Sequence, residues 1–283
     1  MAKKRRLRWF LIVLFSIFLF IILFPLLHLL LLPDVSKLKK VNPPKTAFME
    51  HREKEAKGKK YRVNQIWVPL PRISPYLIKA VLIAEDDKFW KHEGFDYEAI
   101  QKAYEKDLKL GKFKFGGSTV SQQLARNLYL SPEKTLLRKF REAIITWKME
   151  NELSKKRILE LYLNVVEWGE GIFGVEMASR HYYGKTSFEL TPLEAARLAT
   201  VLPNPRKYNP TGDQRYVINR SNLIYNIMVK RGVIPPGYEE ATERSEPEPS
   251  TTSPYGKTDP TPYVPIQRPT PSIPPPERAT SSF

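Results

Sequence analysis

Cysteine is absent from this chain, and histidine occurs only four times in its 283 residues. A chain without thiols has no disulfide bonds and no thiolate nucleophile, and it is compatible with an exported domain, although many cytosolic domains also lack cysteine. His92 and His181 are the only histidines in the part of the chain that we expect to fold, and they show no metal-ligand spacing. We therefore predict no zinc site and no metal-binding residues.

Two familiar motifs are present only in incomplete form. Gly184-Lys185-Thr186 ends like a nucleotide-binding P-loop, but Ser179 stands where that loop requires its first glycine. Ser131-x-x-Lys134 imitates the serine motif of penicillin-binding enzymes, but the companion Ser-Asp-Asn and Lys-Thr-Gly sequences do not occur. We therefore interpret both matches as chance.

The chain has one long apolar run, from Trp9 to Leu32, in which Ser16 and His28 are the polar interruptions. A helix of this length, at about 1.5 Å per residue, exceeds the roughly 30 Å hydrocarbon core of a bilayer. We predict an uncleaved transmembrane helix, because the run is too long for the core of a signal peptide and no cleavage site follows it. Basic residues lie on both sides of the run, so the positive-inside rule favours a cytoplasmic N-terminus only narrowly.

The net charge of +16 is concentrated in the middle of the chain. Residues 1–33 hold five positive charges and residues 243–283 have a net charge of −1, which leaves +12 on the region between them. A basic domain tethered to a bilayer is attracted to anionic headgroups and phosphorylated ligands, whereas a basic soluble domain would suggest nucleic acid. The predicted tether favours membrane lipid as a partner over nucleic acid.

Composition divides the chain into five parts. Residues 34–63 are polar and rich in lysine, and eleven prolines after Glu243 predict a disordered tail. Between them apolar residues recur at helical spacing, apart from a possible strand from Tyr61 to Val68, so we predict a mainly α-helical domain. The five parts are a basic N-terminal tail (1–8), a transmembrane helix (9–32), a stalk (33–63), a folded catalytic domain (64–237) and a Pro-rich disordered tail (238–283).

Glu85 occupies a position that helical periodicity assigns to the core. Ser74-Pro75 looks like an N-cap followed by the first residue of a helix, and the apolar stripe that starts at Ile78 reaches Glu85 seven residues later. A carboxylate held against apolar neighbours has a raised pKa and is a candidate general base or acid. A helix that frays early and leaves Glu85 in water is an equally favoured alternative.

A glycine loop, Gly116-Gly117-Ser118, runs into another predicted helix, where free N–H groups and the helix dipole favour an anion. On this helix Thr119, Gln123 and Arg126 share one face. The stripe would suit a phosphate-bearing ligand, and a capped surface helix without a ligand is the alternative.

Two further segments have open interpretations. In the helix predicted to begin at Ser131-Pro132, Arg138 lies four residues before Glu142, and spacing alone favours an ordinary solvated ion pair. The alternating sequence around Phe113 and Phe115 suits either a segment that rests in a membrane interface or an edge strand.

Read in order, five motifs resemble those of the peptidoglycan glycosyltransferases, glycosyltransferase family 51. The motifs are Glu85-Asp86-x-x-Phe89-x-x-His92-x-Gly94, Gly117-Ser118-Thr119-Val120-x-Gln122-Gln123-Leu124-x-Arg126-Asn127, Arg138-Lys139-x-x-Glu142, Ile158-Leu159-Glu160-x-Tyr162-Leu163-Asn164 and Gly169-x-Gly171-x-x-Gly174. The resemblance covers about residues 64–232. Because no second domain with a nucleophilic serine follows, the chain is similar to the monofunctional members of the family.

The resemblance implies a mainly α-helical, lysozyme-like fold behind a single transmembrane helix, and polymerisation of lipid II, in which MurNAc is linked through pyrophosphate to undecaprenol. It implies that Glu85 takes the proton of the acceptor GlcNAc 4-hydroxyl as that oxygen attacks C1 of MurNAc, with inversion to a β-1,4 link. Glu142 matches the second functional carboxylate of the family, which overrides its interpretation as a surface ion pair.

The resemblance also implies which residues bind substrate. These are Asp86, Phe89, His92, Ser118, Thr119, Gln122, Gln123, Arg126, Asn127, Arg138 and Lys139. Position 126 is Arg where the family commonly has Lys, and this difference could alter how a phosphate is held. A divalent cation, Mg or Mn, can assist the pyrophosphate in the family, but no dedicated ligand set is evident here.

The implied partners are lipid II, the nascent glycan strand, membrane lipid and proteins of cell-wall synthesis or division. The implied location is the bacterial plasma (inner) membrane, with the catalytic domain on its periplasmic or extracytoplasmic side. A lytic muramidase with the same fold is the nearest alternative, and the cations Arg126, Arg138 and Lys139 argue against it because neutral glycan has no pyrophosphate. A membrane-tethered scaffold without catalysis is a second alternative.

Overall fold

The computed structural model describes residues 2–30, 32–56, 62–111, 116–133 and 135–238. The chain divides into one compact unit, Met1–Pro236, and a second, Gly237–Phe283. The described residues form ten α-helices, two short 3-10 helices and three short strands, which confirms the predicted mainly α-helical class. The helices are α1 (Ala2–Leu30), α2 (Ala47–Glu55), α3 (Pro75–Glu85), α4 (Tyr97–Leu110), α5 (Val120–Tyr129), α6 (Leu136–Glu152), α7 (Lys155–Val165), α8 (Val175–Tyr183), α9 (Pro192–Val201) and α10 (Arg215–Lys230). The 3-10 helices are Ser36–Lys39 and Leu70–Arg72, and the strands are β1 (Asn64–Gln65), β2 (Glu167–Gly169) and β3 (Ile172–Phe173).

The predicted transmembrane run forms most of α1, and its side chains from Trp9 to Phe20 are exposed. Side chains at 21, 22 and 24–30 lie outside those that the structure describes. Across the described part of the chain, the structure contains no helix with both the length and the apolar character to cross a bilayer. The transmembrane helix therefore stays a prediction.

Part of the segment predicted as a stalk packs against the helices that follow it. Val35 and Met49 are completely buried, and α2 lies against α5. Arg157 of α7 donates hydrogen bonds to the carbonyl oxygens of Leu38 at 2.7 Å and Val41 at 3.2 Å. Helix α2 is therefore part of the folded region, since it packs against α5.

Helices α3 and α5 together carry five of the thirteen predicted site residues, and each packs against several neighbours. Helix α3 packs against α9 and α10 through buried residues such as Leu77 and Val81, and α5 packs against α6 and α7 through Val120 and Leu124. The apolar faces of both helices are buried, so their polar faces are held at defined positions.

Helix α9 begins with a capping box, with Pro192 as the first helical residue. The Thr191 side chain accepts a hydrogen bond from the Glu194 N–H, and Glu194 Oε2 accepts one from the Thr191 N–H at 2.8 Å. Two of the unpaired donors at the helix start are thereby satisfied. Helix α6, by contrast, begins at Leu136 behind an N-cap at Thr135, and not at Ser131-Pro132 as predicted, because the Thr135 hydroxyl accepts the Arg138 N–H.

A short three-stranded sheet includes residues of the glycine motif Gly169-x-Gly171-x-x-Gly174. Strands β2 and β3 pair antiparallel, and β1 pairs parallel to β3. Of the strand predicted from Tyr61 to Val68, only Asn64–Gln65 is a strand in the structure. Gly174 adopts φ +78°, and a Cβ there would lie 2.6 Å from the carbonyl oxygen of Asn164. Only glycine fits this close approach without strain.

Two predictions fall on residues outside the described part of the chain. They are the membrane-interface or edge-strand segment at 112–115 and the disordered tail from residue 239 onward.

Candidate active site

Glu85 is the last residue of α3, and its side chain is half-buried. Its Oε2 accepts a hydrogen bond of 2.8 Å from the side-chain amide of Gln123 on α5. Burial raises the pKa of Glu85 above its ordinary value of 4.5, while the Gln123 hydrogen bond and the charges of Arg220 and Arg126 oppose that rise. The carboxylate therefore combines two properties of a general base, a raised pKa and a fixed orientation.

Asp86 connects the end of α3 to the start of α5. Its two carboxylate oxygens lie 2.9 and 3.1 Å from His92 Nε2, and Oδ2 also accepts the backbone N–H of Val120 at 2.8 Å. Because His92 Nδ1 accepts the Gly94 N–H at 3.0 Å, the ring proton lies on Nε2 and points at Asp86. The carboxylate therefore fixes α5, which carries Gln123, relative to Glu85.

Phe89, predicted to bind substrate, is completely buried, with its ring 5.1 Å from that of Trp90 and 6.2 Å from that of His92. The ammonium group of Lys155 lies 4.6 Å from the centre of the Phe89 ring. Neither Phe89 nor His92 is among the residues that line the two cavities described below. Both support the turn that carries Asp86.

The glycine loop ends in the capping box of α5, which involves both Thr119 and Gln122. The Thr119 N–H donates to Gln122 Oε1 at 3.0 Å, and the Thr119 hydroxyl donates to the Gly94 carbonyl at 2.7 Å. Gly117 lies so close to α4 that a Cβ would be 3.0 Å from the backbone of Ile100. The side chains of Thr119 and Gln122 are thus used to build the loop.

Glu142 lies at the centre of a charged cluster and is completely buried, so the interpretation as a solvated surface pair is wrong. It accepts a hydrogen bond from Arg138 Nη1 at 2.5 Å and another from Lys139 Nζ. Lys139 Nζ also donates to the Ser118 hydroxyl at 3.1 Å, which joins the cluster to the glycine loop. A buried carboxylate with two cations holds those cations in one place.

The Glu85–Gln123 pair contributes one residue to each of two cavities. The first cavity, of about 310 Å³, is lined by residues that include Glu85, Asp86, Lys88, Lys102, Ser118 and Thr119. The second cavity, of about 270 Å³, is lined by residues that include Arg52, Gln123, Arg126, Asn127, Arg138 and Glu167. Glu85 lines the first cavity and its hydrogen-bond partner Gln123 lines the second, so this hydrogen bond joins the walls of the two cavities.

The second cavity is strongly cationic. Within the described residues, the guanidinium of Arg126 has no ion-pair or hydrogen-bond partner, whereas Arg138 is paired with Glu142. Arg52 donates from Nε and Nη2 to Glu167 Oε2 at 3.1 and 2.8 Å. Burial raises the pKa of Glu167, and the nearby charge of Arg52 opposes that rise. An unpaired arginine beside two further arginines is suited to bind an anion.

The site holds no obvious ligand set for a metal. Over the ranges that the structure describes, no three His, Cys, Asp or Glu residues lie close enough together to bind an ion. Asp86 and Glu85 are neighbours, but Asp86 is already engaged by His92 and the Val120 N–H.

The structure brings most of the predicted residues to the two cavities or to the loops that build them. Sequence reasoning missed Arg52, Glu167, Arg220 and Tyr162. Tyr162 lay within a quoted motif but received no role, and its hydroxyl donates to Gln123 Oε1 at 3.1 Å. Arg52 lay in the segment predicted as a stalk, and no local signal indicated that it would reach the cavity.

Comparison of the sequence with known proteins shows the family to which this chain belongs. Residues 52–229 match the sequence model of a family described as transglycosylase. Because the match covers more than half of the chain, and because the relatives below cover it at high identity, the chain belongs to the transglycosylase family, as its motifs predicted, and it is a glycosyl-transferring enzyme.

Several curated relatives carry the name biosynthetic peptidoglycan transglycosylase. The protein from Dechloromonas aromatica is 56% identical over 171 residues, which are 60% of this chain and 74% of the relative. The protein from Nitrosospira multiformis is 47% identical over 194 residues, which are 68% of this chain and 84% of the relative. The protein from Alcanivorax borkumensis is 42% identical over 258 residues, which are 91% of this chain and all of the relative.

Proposed function

We propose that this enzyme polymerises peptidoglycan glycan strands from lipid II. The observation that carries the proposal is the position of Glu85, which lines the first cavity and is hydrogen-bonded to Gln123 in the wall of the second. A polymerase of this kind must hold two substrates, a donor and an acceptor, on either side of one base. The cationic second cavity suits a donor that carries pyrophosphate, and the first cavity then receives the acceptor sugar. The names of the curated relatives support the same substrate class.

In this mechanism Glu85 accepts the proton of the GlcNAc 4-hydroxyl in the first cavity. The oxygen attacks C1 of the donor MurNAc, the new C1–O4 bond forms, and the bond from C1 to the pyrophosphate oxygen breaks with its electron pair leaving on the undecaprenyl pyrophosphate. A single displacement of this kind inverts the anomeric centre and gives a β-1,4 link. The raised pKa of Glu85 makes it a stronger base than an ordinary carboxylate.

The leaving pyrophosphate is stabilised by fixed cations. Arg126 is free to bind it, and Arg138 and Lys139 are held in place by Glu142. Donors that are already oriented toward a developing charge stabilise the transition state without reorganisation. In this proposal Glu142 acts through the two cations that it orients.

A divalent cation is not built into this mechanism. The described residues do not supply a set of ligands for a resident Mg or Mn ion, so a cation that assists the reaction would arrive with the pyrophosphate of the substrate.

We further propose that the chain is anchored by its apolar N-terminal run, with the catalytic domain on the extracytoplasmic side of the plasma membrane and with a lysozyme-like fold. The apolar sequence from Trp9 to Leu32 and a substrate with an undecaprenyl tail support this placement. The sequence offers no Ser-Asp-Asn or Lys-Thr-Gly motif for transpeptidation, so we propose a glycosyltransferase without transpeptidase activity. Proteins of cell-wall synthesis or division are the expected partners.

The test is to incubate the purified full chain with lipid II and, separately, with isolated sacculi. We expect a glycan polymer from lipid II and no release of soluble muropeptides from sacculi. E85Q should fold normally and lose activity by about 10²–10⁴-fold, the usual contribution of a general base. Soluble muropeptides without polymer would support the lytic alternative, and full activity of E85Q would contradict the assigned base.

A further inference from the structure

Tyr162 is a residue of α7 that lines neither of the two cavities. Its hydroxyl lies 3.1 Å from Gln123 Oε1, and Gln123 Nε2 lies 2.8 Å from Glu85 Oε2. The three side chains belong to three different helices, α7, α5 and α3, and form a continuous line of hydrogen bonds that ends at the proposed base.

The direction of these bonds follows from what each group can donate. An ionised carboxylate only accepts, so the Gln123 group that faces Glu85 must be the NH₂ group. The amide oxygen then faces Tyr162, and the phenol must donate to it. Each bond in the line thus fixes the orientation of the next.

Burial fixes the position of Tyr162 at one end of this line of hydrogen bonds. Tyr162 is completely buried, whereas Gln123 is half-buried and lines the second cavity beside Arg126. A glutamine with one end in a polar cavity can rotate its amide toward solvent or toward a ligand. A buried phenol that binds the amide oxygen opposes that rotation, because turning the amide would leave the hydroxyl without its acceptor.

We propose that Tyr162 is a positioning residue, which holds the amide of Gln123 in the one orientation that donates to Glu85 and so keeps the carboxylate aimed at the first cavity. The inference rests on the proposed function, because it concerns the base of that reaction. Tyr162 touches neither substrate in this account, and it acts only through Gln123.

The groups that face Glu85 from the packed elements are few. They are Arg126 on α5, Arg220 and Tyr216 on α10, Tyr162 on α7, and the neighbouring carboxylate of Asp86. Removing the Tyr162 hydroxyl leaves all these charges unchanged. A change in the pH dependence of Y162F would therefore report on the orientation of Gln123.

The experiment compares Y162F with Y183F in lipid II polymerisation across a range of pH. Tyr183 provides a matched control, because its hydroxyl is also buried and has no hydrogen-bond partner within the described residues. We expect Y162F to lower kcat about fivefold to tenfold with little change in KM, as the loss of one oriented hydrogen bond predicts. The acid limb of its rate profile should move to higher pH, because Glu85 loses a donor that favours its ionised form. Y183F should match the wild type in both measurements.

The double variant Y162F/Q123A separates positioning from a general loss of structure. If Tyr162 acts only through Gln123, the double variant should be no slower than Q123A alone. Additive losses, or a Y162F enzyme with wild-type kcat and an unmoved acid limb, would overturn the inference. If Y162F fails to fold, the folding of the double variant Y162F/Q123A is compared with that of Q123A. If the double variant also fails to fold, Tyr162 is needed for stability, and the inference is overturned. Failure of the wild type to polymerise lipid II would instead overturn the proposed function.

Discussion

At the scale of single residues, the charged carboxylate of Glu85 is energetically unfavourable at its position in the site. Burial raises the pKa of Glu85 above 4.5, so at neutral pH the folded protein holds a carboxylate whose charged form is disfavoured. A base must be ionised to accept a proton. Activity should therefore fall as the pH is lowered through the raised pKa of Glu85, which lies above that of an exposed glutamate.

The same pKa shift predicts how stability depends on pH. Between 4.5 and its raised pKa, Glu85 binds more protons in the folded state than in the unfolded state, so the free energy of unfolding decreases as the pH rises through this interval. E85Q removes that penalty. We expect E85Q to have a higher Tm than the wild type at pH 7.5 and a similar Tm at pH 4, as measured by calorimetry. A lower Tm of E85Q at pH 7.5 would contradict the raised pKa.

Some residues of the site could be predicted from sequence and others could not, for a physical reason. Glu85 interrupts an apolar stripe, and this signal is local. Tyr162 and Arg52 act through contacts with residues 39 and 115 positions away, to Gln123 and Glu167 respectively, which no periodicity within one helix records. The burial of Glu142 was missed at first for the same reason, since an i,i+4 pair looks alike in solvent and in a core.

At the scale of secondary structure elements, the start of α3 was predicted correctly, because Ser74 is its N-cap and Pro75 its first residue. The start of α6 was predicted four residues too early because Ser131-Pro132 resembles a cap, whereas Thr135 is the residue that accepts the Arg138 N–H. The short sheet was missed because its strands have only two or three residues, too few for an alternating pattern.

Asn164 of α7 contributes two of the hydrogen bonds that hold the segment before α3, which gives a prediction at this scale. Asn164 is completely buried, its Oδ1 accepts the Val68 N–H at 2.9 Å, and its Nδ2 donates to the Val68 carbonyl at 2.8 Å. N164A leaves both backbone groups without a partner, and we expect it to lower the free energy of unfolding by about 2–4 kcal/mol. Urea denaturation measures this change.

Asn151 offers the control for that measurement. It is exposed, and within the described residues its side chain bonds only to the Trp147 carbonyl of its own helix at 2.9 Å, so N151A should change stability by no more than about 0.5 kcal/mol. Equal effects of N164A and N151A would show that the Asn164 contacts do not stabilise the fold.

At the scale of the whole molecule, the family match and the described core end close together. The match stops at residue 229, and Ile234 is the last buried apolar residue in the described part of the chain. The 11 prolines that follow Glu243 are the basis of the prediction that the tail is disordered. We expect a chain without residues 239–283 to keep the Tm and the polymerisation rate of the full chain, measured side by side. A fall in Tm of several degrees would show that the tail contributes to the fold.

Arg126, which has no ion-pair or hydrogen-bond partner within the described residues, affects the choice of buffer for this protein. We expect its charge to attract small anions from the buffer, and under the proposed mechanism phosphate or sulfate would occupy the position of the leaving lipid pyrophosphate. Such ions would slow the enzyme by competition, and rates measured in phosphate and in an organic zwitterionic buffer would then differ without any change in the protein itself.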